Sequence, residues 1–177
     1  MFQAVAMSLV EPATRKMACD AVRNCPARDD QCEVEAVASW IRSKITYRGE
    51  IPGFDLFQKI GVSVDLAAGD CDCMTIAGLS LLTEIGYTCG VRIVMFSQSE
   101  GHAYSILRLP RLTNGQQSVV PLDLSEQVAV GWEVDRGQTI SAVDYWFEPV
   151  AWIAWKQSGQ PLSRSPVPRA ERAAPPV

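Results

Sequence analysis

Gly69-Asp70-Cys71-Asp72-Cys73-Met74-Thr75-Ile76-Ala77-Gly78-Leu79-Ser80-Leu81-Leu82-Thr83-Glu84-Ile85-Gly86 is the stretch on which the fold turns. Met74, Ala77, Gly78, Leu81, Leu82 and Ile85 recur by threes and fours, which predicts a helix over 71–85. Ile76 and Leu79 carry the apolar surface further round, so the helix is expected to be largely buried. Asp70 stands where an N-cap side chain is wanted and Gly86 where a C′ residue is wanted. A cysteine, Cys71, therefore opens a buried helix.

Three strands are expected downstream, at 89–96, 102–109 and 118–123. Between the last two, Asn114-Gly115 is a hairpin signal, with the loop midpoint near Leu112 and Thr113. An antiparallel pair built on that loop sets His102, first in its strand, opposite Asp123, last in the other. Directly opposed residues share a face. His102 is the only histidine in the chain.

Cysteine at a helix start, histidine at a strand start and aspartate across the hairpin make a nucleophile, a base and an orienting acid. The helix N-terminus favours the thiolate, and an imidazolium at His102 favours it further. Asp70 and Asp72 act against it unless they are turned toward the helix's free N–H groups. The Cys71 N–H is the first candidate oxyanion donor and the Gln58 side-chain amide a second, although Gln58 reads equally well as a solvated loop residue. Cys73 is a rival nucleophile, but two positions into the helix it points elsewhere.

The 177 residues suit one domain with a real core. A net charge of −4 without a basic run excludes a nucleic-acid footprint. No apolar stretch is long enough to cross a bilayer. Residues 1–10 are apolar but lack a basic flank, and Glu11-Pro12 follow, so no signal peptide is read and the bacterial cytoplasm is the expected place of synthesis. The six cysteines form no evident disulfide framework. Cys19, Cys25, Cys32 and Cys89 read as small buried hydrophobes, with a metal or cluster site as the alternative. No cofactor and no metal are expected.

Helices are expected at 13–24 and 31–45, the second with Val34, Val37, Ala38, Ile41 and Ile45 on its inner stripe, Trp40 packed beside it, and an Asp30/Glu33 capping box. Residues 46–68 read as irregular. The expected organisation is an extension over 1–29, a core over 30–135, an aromatic-rich segment over 136–156 and a Pro-rich tail over 157–177. The tail is too poor in apolar surface to order unless bound. Trp152 and Trp155 are candidate anchors for a protein partner.

Several of these segments together resemble the transglutaminase-like superfamily of papain-like cysteine proteins. They are Trp40-Ile41-Arg42 with Ile45-Thr46-Tyr47, Phe54-Asp55-Leu56-Phe57-Gln58, Gly69-Asp70-Cys71-Asp72, Gly101-His102-Ala103-Tyr104, Pro121-Leu122-Asp123 and Val130-Gly131-Trp132. The pattern is most similar to the small transglutaminase-like proteins of tailed bacteriophages; Cys73 departs from the aspartate usual there. The resemblance implies an α+β fold, a papain/transglutaminase-like core with the nucleophile helix packed on a small antiparallel sheet. It implies Cys71 as nucleophile, His102 as base and Asp123 as orienter, acting on amide bonds as peptidase, amidase or acyl transferase. Expected partners are a protein or peptide substrate and a phage structural protein, with the virion as a second location. The alternative is a catalytically silent structural or binding protein of the phage particle that keeps the fold.

Overall fold

The computed structural model describes residues 1–49, 56–109, 119–158, 166 and 169–172. The expected Asn114-Gly115 turn, and Phe54 and Asp55, lie outside the described residues.

In chain order the elements are α1 (Phe2–Leu9), α2 (Pro12–Val22), α3 (Asp30–Lys44), β1 (Thr46–Tyr47), α4 (Ile60–Leu66), β2 (Ala68–Gly69), α5 (Cys71–Glu84), β3 (Thr88–Met95), β4 (Gly101–Arg108), β5 (Val119–Leu122), β6 (Ser141–Trp146), α6 (Pro149–Gln157) and β7 (Arg169–Arg172). β5-β4-β3-β6-β7 form one antiparallel sheet, and β1-β2 a short parallel pair. The expected α+β class is the one observed.

α5 is the core of the molecule. Ile76, Ala77, Leu79, Leu81 and Leu82 have no exposed surface. Burying each large side chain contributes about 1.5–3 kcal/mol, which fixes the helix far more firmly than propensity could. Thr75 Oγ1 donates to the Ala103 carbonyl of β4 at 3.1 Å, and Ser105 Oγ donates back to the Thr75 carbonyl at 3.3 Å. The helix ends as the sequence predicts. Gly86 adopts φ +102°, its N–H reaches the Thr83 carbonyl, and the Tyr87 N–H reaches that of Leu82. This is the Schellman arrangement, which satisfies carbonyls the helix leaves open.

Alternation along the strands divides the sheet's faces. Ala103 and Leu107 join the main core with α5, whereas Tyr104 and Ile106 join Val94, Val134 and Trp146 in a second cluster. There Arg92 makes a two-pronged ion pair with Asp144, at 2.6 and 2.8 Å, and a third contact with Glu133 at 2.5 Å.

Several expectations are corrected. Within residues 1–10, Phe2–Leu9 form α1, with Phe2, Ala4, Val5 and Ala6 buried in the core. β6 lies beside β3, so the sheet runs past 135, and residues 169–172 of the tail add β7 to its edge. Ladder hydrogen bonds to β6 supply the order that apolar burial could not. Residues 46–68 contain α4 and the β1-β2 pair, elements too short for periodicity to declare. Asp29 rather than Asp30 caps α3, accepting from the Cys32 N–H at 3.0 Å. Asp30 and Glu33 instead hold the Tyr87 hydroxyl. Cys25 and Cys32, read as buried hydrophobes, form a disulfide with Cα atoms 5.7 Å apart. The turn at 26–29 folds α3 back on α2, a geometry that a seven-residue spacing does not reveal. Cys19 is exposed, and only Cys89 of these four is buried.

Candidate active site

Cys71 is the first residue of α5, and its position follows from the residues before it. Asp70 turns its carboxylate back to accept the Cys73 N–H at 2.8 Å and so caps the helix. Gly69 pairs with Tyr47. A Cβ on Gly69 would lie 2.7 Å from Cys73 Cβ, so the first turn can close only over a glycine. The Cys71 N–H is among the helix's leading donors, which have no intrahelical acceptor.

His102 enters from the start of β4 and Asp123 follows the end of β5. The register differs from the expected one by two residues. Ser105 faces Leu122 and Ile106 faces Pro121, so continuation of the ladder sets Asp123 opposite Tyr104, not His102. The two side chains remain on one face and meet diagonally, which is within reach of long side chains. His102 Nε2 is 2.7 Å from Asp123 Oδ2. Cys71 also acts on the ring, raising its pKa alongside Asp123. The imidazole packs against Tyr104, with centroids 5.7 Å apart.

The electrostatics follow from these contacts. Burial works against a charged ring at His102. Hydrogen bonds to Asp123 and Cys71, together with their charges, outweigh burial and carry the pKa from 6.5 up to about 10. Burial likewise opposes the Asp123 carboxylate, which is 2 % exposed, but the bond and charge of His102 and the Ser125 donors pull its pKa below the ordinary value. Asp123 Oδ1 accepts from the Ser125 hydroxyl at 2.8 Å and from the Ser125 and Glu126 N–H groups at 3.1 and 3.3 Å. Ser125 is a site residue that sequence reasoning missed; a serine two positions after an aspartate is the local signal of such a turn.

Cys71 and His102 line one cavity of about 720 Å³, with Asp72 also on its wall. Phe2, Phe57, Val91, Ile93, Met95 and Trp152 supply much of the apolar wall. No group of three or more His, Cys, Asp or Glu side chains among the described residues is arranged to hold a metal ion.

The remaining sequence candidates are placed elsewhere. Cys73 is 1 % exposed, its thiol donates to the Leu56 carbonyl at 3.1 Å, and burial first and the Asp70 charge next push its pKa up to about 11. A buried, protonated thiol is a poor nucleophile. Gln58 accepts from Ser63 Oγ at 3.1 Å through its side-chain carbonyl and is not among the cavity-lining residues; its neighbour Phe57 is. Trp152, expected to meet a partner, is 6 % exposed and packs on Phe2 and Phe147 with centroids 6.0 and 6.3 Å apart. The apolar ring is better buried in its own core than held out for a partner. The Trp155 side chain lies outside the described residues.

No helix among the described residues is long and apolar enough to cross a membrane. No family model matches the chain, and no curated protein matches it. Solved structures do. A candidate cysteine protease from Cytophaga hutchinsonii superposes with TM-score 0.51 and 14 % identity over 73 % of this chain and 41 % of its own. A candidate protease from Parabacteroides distasonis gives 0.50 and 10 % over 70 % and 29 %. A structure described as a TGase gives 0.49 and 12 % over 70 % and 34 %. The chain thus spans less than half the length of each of these structures, and what it shares with the two candidate proteases is the fold, mixed helix and antiparallel sheet.

Proposed function

We propose that this chain processes amide bonds through a cysteine nucleophile, with Cys71 attacking, His102 moving the proton and Asp123 holding the imidazole. The observation that carries the reading is the His102–Asp123 hydrogen bond at 2.7 Å, with His102 and Cys71 on the wall of one cavity. The Cys71 thiolate adds to an amide carbonyl, and the carbonyl oxygen takes up the negative charge beside the Cys71 N–H at the helix N-terminus. The intermediate collapses, the C–N bond breaks, and the imidazolium protonates the leaving nitrogen. Water or an amine then attacks the thioester, gives its proton to His102 and releases the thiolate. Asp123 keeps one ring tautomer and stabilises the charged ring throughout. A protein or peptide is the substrate class, and the apolar wall suits an aliphatic or aromatic side chain next to the scissile bond.

The finer reading, a protein of a tailed phage acting on a virion component, rests on the sequence resemblance. The Cys25–Cys32 disulfide favours the virion over the cytoplasm as the place of action, since disulfides persist on virion and cell surfaces and are rare in the cytosol. The alternative of a silent binding protein rests on the aromatic-rich segment and the Pro-rich tail, and burial of Trp152 takes that one residue out of its anchors.

The test is direct. The full chain is incubated with peptide substrates while peptide cleavage, ammonia release and amine incorporation are followed by mass spectrometry. Cys71→Ser is expected to abolish the activity and Cys73→Ser to keep it. Activity that survives Cys71→Ser overturns the reading. Mass spectrometry of purified particles tests the virion assignment.

A further inference from the structure

Asp123 begins a segment, 123–128, with no helix or strand to satisfy its backbone. Buried peptide groups must still find partners. The N–H side is met by the Asp123 carboxylate itself, as described. The carbonyl side is met by one side chain from a distant element. Nη2 of Arg42, in the last turn of α3, shares its two N–H groups among the carbonyls of Asp123 at 2.6 Å, Glu126 at 2.6 Å and Val128 at 3.0 Å. Its Nε lies 3.4 Å from the Leu124 carbonyl. These contacts join residues more than 80 positions apart in the chain. An arginine at a helix C-terminus serves the helix dipole wherever it points. Four carbonyl contacts to one loop are a different matter, because the planar fork fixes the loop's shape and not merely its charge.

We infer that Arg42 is the positioning residue of the site: it holds the 123–128 loop in the conformation that aims Asp123 Oδ2 at His102 Nε2. The inference rests on the catalytic reading above for its functional meaning, but not for its geometry. A loosened loop would let the carboxylate follow its Ser125 and Glu126 bonds away from the ring. The side chain that then still acts on the charge of His102 is Cys71 of α5, with Asp72 on the wall of the same cavity and Asp123 no longer aligned. Lysine keeps the charge, but its one nitrogen cannot stand at both the Nε and Nη2 positions, so the contacts to Leu124 and to the other three carbonyls cannot be made together.

His102 is the sole histidine, so its ring signals need no assignment. The experiment is an NMR pH titration of His102 in the full chain, Arg42→Lys, Arg42→Met and Asp123→Asn, with thermal melts to select variants that unfold cooperatively. The wild type is expected to titrate well above 6.5, Arg42→Met to fall by one unit or more, and Arg42→Lys to fall between them. If Arg42 acts through Asp123, the double variant Arg42→Met/Asp123→Asn lowers the titration no further than Asp123→Asn alone. Should Arg42→Met fail to fold, Arg42→Lys carries the same comparison. A wild-type His102 that titrates in its ordinary range overturns the ion-paired site itself. A raised wild-type value that the Arg42 variants leave unmoved, or additive falls in the double variant, overturn the role of Arg42 alone.

Discussion

Asp123→Asn removes one negative charge while keeping the shape of the side chain. His102 then loses its first favourable partner, whereas the burial that lowers its pKa is unchanged. The wild-type rise from 6.5 to about 10, net of the burial that opposes it, corresponds to about 5 kcal/mol at about 1.4 kcal/mol per unit. Cys71 supplies part of that rise, and a ring left 16 % exposed is screened, so the expected loss at pH 6 is about 2–3 kcal/mol. For a chain of this size that is a fall in Tm of about 5–10 °C. The sign with pH follows from linkage. A raised histidine pKa contributes stability that is complete below 6.5 and is lost as pH rises through about 10. A depressed aspartate pKa contributes stability present above 3.8 and lost as pH falls through the lowered value. The gap between wild type and variant is therefore widest from about pH 4 to 6.5 and narrows on both sides. Calorimetric melts of both proteins at pH 6 and pH 9, with the histidine titration alongside, give the answer. An equal loss at both pH values, or a histidine that titrates unchanged in the variant, would refute the reasoning.

Limited iodoacetamide labelling at neutral pH, mapped by peptide, is expected to modify Cys71 ahead of Cys73 and Cys89. With pKa values of about 11 and 12, those two are thiolate in about one molecule in ten thousand or fewer at pH 7, and both are buried. Gly69→Ala places a Cβ 2.7 Å from Cys73 Cβ, an atom next to the helix backbone that cannot swing aside. A stability loss of about 1–3 kcal/mol by denaturant titration is expected, with slower labelling of Cys71; unchanged labelling would mean the helix start tolerates the shift. Replacing Cys25 and Cys32 by serine is expected to lower stability by about 2.5 kcal/mol, the loop-closure entropy of so short a ring, without changing Cys71 labelling. A variant as stable as the wild type would show that the bridge constrains nothing.

What the sequence determined by itself was whatever local interactions decide. The Asp70 cap, the apolar stripe of α5 and the Gly86 stop act within a few residues of one another, so α5 was legible almost to its ends. β3 and β4 were legible for the same reason. The cysteine, histidine and aspartate were legible as candidates because each stands at the end of such an element. Tertiary structure decided the rest. The β4-β5 register slipped by two, which returns every side chain to the face it had and so leaves no trace in the alternation. β6 was hidden because its one charged residue, Asp144, is buried in the pair with Arg92 while Tyr145 on the other face is half-buried, so polar and apolar positions do not mark inside and outside. Asp29 took the cap because Tyr87, 54 residues beyond Glu33, claimed the carboxylates read as the capping box. Gln58 was drawn to Ser63, Trp152 to Phe2 and Phe147, and Cys25 to Cys32. The loop that aims Asp123 is organised by Arg42 from α3, more than 80 residues earlier in the chain. No local pattern records such a contact, because its energy exists only once the core has brought the two segments together.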